Sequence, residues 1–178
     1  MKFRAQGSEF MIPSRTNFHR DTNMDDSQLI VRLKGFFHTR AADGFNVLDF
    51  LHAEGSPLVA LMYARLFWPE FVEVDGMVLL KESVEDEADR ARVMDAMQRK
   101  GGDRAFVEYS FNMREVEDIF GRRIGDSTDA EDLVLVEKLC AMWQCRLREV
   151  YPGLTFSVLV VPPESTGGSV GITFYQPR

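Results

Sequence analysis

Cysteine, histidine and long apolar runs are all scarce in this chain of 178 residues. Two cysteines are too few for the disulfide framework of a small secreted scaffold. No stretch of about 18 uncharged apolar residues occurs, so the sequence predicts no membrane-spanning helix. The formal net charge of −7 argues against a general nucleic-acid-binding protein. With 45% hydrophobic residues, the chain has the composition of an ordinary globular domain.

The beginning of the chain differs from the rest. Residues 1–10, MKFRAQGSEF, have no helical or strand period, and Gly-Ser-Glu-Phe is what two adjacent cloning sites encode. We interpret residues 1–10 as a vector-derived leader, with a natural N-terminus as the alternative. Residues 11–25 are polar and predict a flexible N-terminal arm. Residues 26–178 are expected to form a single domain.

The remaining sequence indicates a bacterial, cytoplasmic protein. No apolar signal region follows Met11. Cys140 and Cys145 are five positions apart on a predicted helix, where they point in different directions and cannot pair with each other. Two free thiols suit a reducing compartment.

Helical periodicity occurs in several segments. Apolar residues at helical spacing predict helices at 26–37, 45–53, 57–68, 83–100 and 128–150, with two short helices within 103–120. Thr128 and Glu131 form a capping box, and Ser83 with Asp86 forms an aspartate variant of it. Ser56-Pro57 predicts the start of a helix, with an N-cap followed by proline at the first helical position. The segment that it opens, 58–68, is apolar on every side except at Arg65, which predicts a buried helix.

Two hairpins complete the predicted fold. Asp75-Gly76 separates two short apolar strands, 71–74 and 77–80, and is typical of a type I′ turn. In the register of such a turn, Val74 faces Met77, Val72 faces Leu79 and Glu73 faces Val78. Alternating residues at 154–160 and 170–174 predict a second hairpin around the loop 162–168, with strands of about eight residues. The order of the elements lacks a β-α-β alternation, which indicates an α+β fold. We expect the two hairpins to join into one four-stranded antiparallel sheet packed against several helices.

Motifs that carry chemistry are missing. The sequence has no GxGxxG, GxxxxGK[ST], GxSxG or HExxH pattern, so it favours a protein that is not an enzyme and predicts no cofactor and no metal. The alternative is an enzyme or small-ligand-binding protein with a cleft between the sheet and the N-terminal helices. Its polar groups would be Arg65, His38 and His52.

Charge is distributed unevenly along the chain. Residues 41–140 carry a net charge of −11, between ends of +3 and +1. The acidic residues around the first hairpin predict a docking surface for a basic protein partner, with Trp68 as an aromatic anchor. The proposed binding residues are Glu73, Asp75, Glu85, Asp86, Glu87 and Trp68.

The leading functional hypothesis is therefore a small protein-binding domain that acts through an acidic surface. A toxin-neutralising immunity protein is one concrete version of it, suggested by analogy of type. A third option is a structural homo-oligomer that uses Trp68 or an exposed edge strand.

Overall fold

The computed structural model describes residues 28, 30–32, 46–121 and 127–178 of the chain. The predicted leader, the predicted arm and His38 lie outside the described residues, as does most of the helix expected at 26–37. That helix is described only at residues 28 and 30–32, which are helical.

The described elements alternate helices with short strands, which confirms the α+β class. In chain order they are helices α1 (Val47–Glu54) and α2 (Pro57–Phe67), strands β1 (Phe71–Val74) and β2 (Met77–Leu80), a 3-10 turn (Lys81–Ser83), helices α3 (Glu87–Arg99) and α4 (Arg104–Phe111), strand β3 (Arg114–Glu115), helices α5 (Val116–Phe120) and α6 (Asp129–Val150), strand β4 (Ser157–Val161), helix α7 (Pro163–Thr166) and strand β5 (Gly171–Tyr175). None of the helices in this described part is long and apolar enough to cross a membrane.

Side-chain caps set the beginnings of the helices. Thr128 and Glu131 form the predicted capping box of α6. The prediction for α3 placed its cap at Ser83 and was wrong. Residues 81–83 form a 3-10 turn, and the Ser83 hydroxyl donates instead to the carbonyl oxygen of Phe111. The carboxylate of Asp86 accepts a hydrogen bond from the Asp89 N–H and caps α3.

The first hairpin is confirmed in its predicted register. Val74 faces Met77, Val72 faces Leu79 and Glu73 faces Val78. Both turn residues have positive φ angles, 49° at Asp75 and 73° at Gly76, as a type I′ turn requires.

The predicted four-stranded sheet is not formed by the described strands, which make two sheets instead. One contains β1 and β2, and the other has the order β3-β5-β4. Two side chains lie between them, Glu108 of α4 and Asn112, the C-cap residue of that helix. The Asn112 side chain accepts from the Leu80 N–H at 2.9 Å and donates to the carbonyl oxygens of Val78 and Phe174. It thereby takes the hydrogen-bonding positions that a direct pairing of β2 with β5 would use.

Glu108, one helical turn before Asn112, also bridges β2 and the end of β5. Its carboxylate accepts from the Val78 N–H at 2.8 Å and from the Gln176 N–H at 2.7 Å. Both bridging side chains are fully buried. A buried polar group is stable only when it is hydrogen-bonded, and here the backbone of two separate sheets supplies the partners.

The second hairpin is present with shorter strands than expected. β4 and β5 have five residues each instead of about eight, and the loop between them contains the four-residue helix α7. Segment 113–120, read as one helix, begins with β3, which pairs with β5 through Arg114 and Ile172.

The hairpin β1–β2 separates two apolar clusters. On one face, Val78 and Leu80 pack with Trp143 and Leu147 of α6 and with Phe174 of β5. The other face packs against α3 and α4, and its cluster consists of Val74, Met77, Leu79, Val84, Val93, Met97 and Val107.

Candidate functional site

Helices α1 and α2 present an apolar surface to solvent, which contradicts the prediction that 58–68 is a buried helix. Neither helix contains a buried residue. The exposed fraction of eight large apolar residues ranges from 43% to 74%; they are Val47, Leu48, Leu51, Leu58, Val59, Leu61, Met62 and Tyr63. We call this set the α1–α2 apolar face. Helices that are apolar all round are normally covered, so an exposed pair indicates a contact surface.

The C-terminal end of α2 attaches this face to the rest of the protein. Leu66 and Phe67 pack against the first apolar cluster, and the Trp143 indole N–H donates to the Leu66 carbonyl oxygen at 2.8 Å. The Tyr63 ring lies 6.1 Å from the Phe120 ring of α5. The position of α2 is therefore set by α5 and α6.

Carboxylates flank the α1–α2 apolar face. Asp49 and Glu54 are exposed on α1, and Asp49 also completes the capping box of that helix with Asn46. Asp118 is exposed on α5, the helix that contacts Tyr63. An apolar surface with an acidic border is complementary to an amphipathic segment with basic flanks.

Two of the acidic residues predicted for binding are used by the fold itself. Asp86 caps α3. Asp75 pairs with the guanidinium of Arg104 at 2.8 Å, and its carbonyl oxygen accepts from the same side chain. The Arg104 contacts tie the hairpin turn to α4, and the Asp86 contact caps the first turn of α3.

Three other predicted acidic residues are exposed. Glu73 lies on β1, Glu85 precedes α3 and Glu87 begins it. The nearest described cation to Glu87 is Arg90, with 3.8 Å between the Arg90 Nε and the Glu87 Oε1. An exposed pair at this distance contributes little to stability, so these carboxylates remain accessible to a partner.

Trp68 is half-exposed at the end of α2 and already has an intramolecular partner. The guanidinium of Arg146 lies 5.6 Å from the centroid of its ring, which is a cation–π arrangement. Arg146 also binds Glu149 at 2.9 Å. Trp68 therefore positions Arg146 as well as contributing apolar surface.

Of the side chains predicted to line a ligand cleft, none is among the lining residues of the cleft described below. Arg65 and His52 are exposed in the last turns of α2 and α1, and His38 lies outside the described residues. A cleft of about 440 Å³ occurs instead at the beginning of β1, between α3 and α6. Its lining consists of Glu70, Phe71, Val72, Lys81, Val84, Glu85, Arg90, Arg146 and Val150.

Ion pairs organise the rim of this cleft. The ammonium of Lys81 donates to the carboxylate of Glu70. The hydrogen bond and the charge of Lys81 lower the pKa of Glu70, with smaller contributions from Arg65 and Arg146. No sequence pattern predicted Lys81, Arg90 and Arg146 at one site, because they come from three separate elements with no common spacing.

Burial raises the pKa of the Cys140 thiol to about 12, so at neutral pH it is a protonated packing group. No group of three or more His, Cys, Asp or Glu side chains in the described part of the chain is arranged to hold a metal ion. Comparison with protein-family models, with curated proteins and with solved structures finds no match for this chain.

Proposed function

We propose that this chain is a protein-binding domain that holds a basic partner. The observation that carries the proposal is the α1–α2 apolar face, whose eight large side chains are exposed on two helices without a buried residue. Burying one such side chain contributes roughly 1.5–3 kcal/mol, so a partner helix laid across several of them would be held firmly.

The expected partner is an amphipathic helix with basic flanks. Its apolar side would cover Leu58, Leu61 and Met62, and its basic residues would meet Asp49, Glu54 and Asp118. The exposed carboxylates of Glu73, Glu85 and Glu87 would attract a basic protein from a distance and raise its association rate.

The test is affinity capture from a lysate of the source cell, with two matched variants of the chain as bait. Leu58→Ser combined with Leu61→Ser removes the centre of the apolar face, and Leu154→Ser removes an exposed leucine beyond α6. We expect the double variant to weaken capture of a basic protein by about tenfold or more, since truncated anchor residues typically cost that much or more. Leu154→Ser should bind as the wild type does.

Retention of the same partner by the double variant would contradict the proposal. Capture of a second copy of this chain in place of a basic protein would also contradict it, and would make the face a homodimer interface. A salt series adds a second criterion, because Glu85→Ala combined with Glu87→Ala should lower the association rate at low salt and change it little at high salt.

Neutralisation of a basic toxin is the specific role that we propose for this domain. An acidic α+β domain that holds a partner tightly would suit such a role, and the sequence contains no catalytic motif. Co-expression of the chain with the captured partner should restore growth to cells that the partner alone inhibits. A partner without effect on growth would exclude the immunity role while leaving protein binding intact.

A further inference from the structure

The outer edge of β1 has backbone groups without a partner among the described residues. Of the described strands only β2 pairs with β1, and the Lys81 N–H bonds to the Glu70 carbonyl oxygen, so the hydrogen-bonded pairs alternate from there. The N–H and C=O groups of Phe71 and Glu73 therefore point away from β2. Among the described residues, none of these four groups makes a backbone hydrogen bond.

The corresponding outward N–H groups of β2 are satisfied by side chains. The outward N–H groups of Val78 and Leu80 donate hydrogen bonds to the side-chain oxygens of Glu108 and Asn112, respectively. No described side chain serves Phe71 and Glu73 in the same way. An open edge of this kind is a template for another strand.

The cleft described above adjoins this edge. Phe71 and Val72 of β1 contribute to its lining, and Val84 and Val150 add apolar surface from either side. A strand added to β1 would therefore meet a recess able to accept an apolar side chain. Unpaired main-chain groups beside a pocket for alternate side chains are the two components of peptide recognition by strand addition.

The charges near the edge select a basic peptide. Glu70 is bound by Lys81, and Arg146 is bound by Glu149. Glu73 and Glu85 have no hydrogen-bonded cationic partner among the described residues. Of the three cations in the cleft lining, Arg90 is the one without a hydrogen-bonded carboxylate among those residues. Glu73 lies on the edge strand itself, where an opposite charge on an added strand would face it across the pair.

We propose that the outer edge of β1 binds an extended peptide with alternating apolar and basic side chains, which adds to the hairpin as a third strand. Its main chain bonds to Phe71 and Glu73, an apolar side chain enters the cleft, and a lysine or arginine faces Glu73. This site does not depend on the α1–α2 apolar face.

The test uses a fluorescent hexapeptide of alternating valine and lysine, blocked at both ends, with binding followed by anisotropy. The decisive variant is Glu73→Pro, which removes an outward N–H and leaves the bonds to β2 in place, because proline is tolerated at such positions of edge strands. Glu73→Ala is the matched control that removes only the charge. We expect about tenfold or greater loss for Glu73→Pro and a loss of a few-fold for Glu73→Ala.

Two further measurements keep the test decisive if Glu73→Pro fails to fold. A peptide N-methylated at alternate amides cannot complete the ladder and should not bind the wild type. Amide NMR shifts of the wild type should change at Phe71 and Glu73 on addition of the unmodified peptide. Equal binding by folded Glu73→Pro, equal binding of the methylated peptide, or no binding of the unmodified peptide would each overturn the proposal.

The outcome is separable from that of the proposed function. The variant Leu58→Ser with Leu61→Ser should bind the hexapeptide as the wild type does, because both substitutions lie on α2. Loss of partner capture with intact peptide binding would therefore concern only the α1–α2 apolar face.

Discussion

Asn112 and Glu108 show how single side chains decide the arrangement of strands in this protein. Glu108 lies on α4 and Asn112 is its C-cap residue. Both are fully buried, and both bond to the backbone of β2 and of residues 174–176 at the end of β5. Each replaces a bond that a neighbouring strand would make. The consequence is two sheets held beside one another by side chains.

Substitution of Asn112 by alanine should lower the free energy of unfolding by about 3 kcal/mol. The Leu80 N–H and the carbonyl oxygens of Val78 and Phe174 would each lose a hydrogen-bond partner. Each such loss costs roughly 1–3 kcal/mol before the surroundings relax. Urea denaturation followed by circular dichroism measures this. Gln98→Ala, an exposed amide on α3, is the control and should change stability little. Equal stability of the two variants would contradict the bridging role.

The two cysteines should differ sharply in reactivity. Alkylation requires the thiolate, and with a pKa of about 12 only roughly one Cys140 thiol in ten thousand is ionised at pH 8. Cys145 is exposed on the same helix. Iodoacetamide labelling of the native protein, read by peptide mass spectrometry, should modify Cys145 and leave Cys140 intact. Labelling of Cys140 at a similar rate in the folded protein would show that its burial is incomplete.

At the scale of elements, the capping residues explain why acidic side chains near the first hairpin are not equivalent. Asp86 accepts from the N–H of Asp89, whereas Glu87 projects from the first turn of α3. The favourable effect of an acidic first turn is shared by both, but only Asp86 satisfies an unpaired helical N–H. A scan of the acidic surface must separate these two roles.

Asp86→Ala should therefore destabilise the protein by about 1 kcal/mol, as the loss of an N-cap typically does. Glu87→Ala should stay within about 0.5 kcal/mol of the wild type, since surface substitutions away from such features usually do. Chemical denaturation of the two variants under the same conditions provides the comparison. A larger loss from Glu87→Ala than from Asp86→Ala would mean that Asp86 is not the cap in solution.

At the scale of the whole molecule, the hairpin β1–β2 is held from both sides, and the α1–α2 pair is held mainly at one end. Each face of β2 belongs to a different apolar cluster. Helix α2 contributes only Leu66 and Phe67 to the first cluster. Regions with few buried apolar contacts open more readily than the core.

Native-state hydrogen exchange should follow this difference. We expect the amides of Val78 and Leu80 to be among the slowest, because they bond to buried side chains within the core. The amides of α1 should exchange much faster, because none of its residues is buried. Addition of a captured partner should slow exchange in α1 and α2 specifically. Equal protection of α1 and β2 in the isolated protein would contradict the described burial.

Local chemistry allowed much of the fold to be predicted from the sequence. The Asp75-Gly76 turn and its register, the Thr128 capping box and the start of α2 at Ser56-Pro57 all depend on residues close together in the chain. β3 was not predicted because a strand of two residues is too short for its side-chain pattern to distinguish it from a helix. Ser83 was given the wrong role because its hydroxyl binds Phe111, which is distant in sequence.

The candidate surfaces were less accessible to sequence reasoning. The apolar pattern of α2 is that of a buried helix, and periodicity alone does not say whether the burial is within one chain or against another. The sequence predicts the acidic residues as one docking surface and does not separate structural from accessible carboxylates, which the contacts of Asp75 and Asp86 do.

The sequence by itself determined an α+β fold, through the order of its elements and its local turn and cap signals. Its scarcity of cysteine, histidine and motif residues determined that it carries no recognisable catalytic signature. The tertiary structure alone decided that the hairpins stay in separate sheets and that α1 and α2 display their apolar side chains. Both outcomes depend on contacts between residues far apart in sequence, such as Asn112 with Phe174 and Trp143 with Leu66. Hydrogen bonds and packing of that kind have no counterpart in a local pattern, because they arise only once the chain has folded.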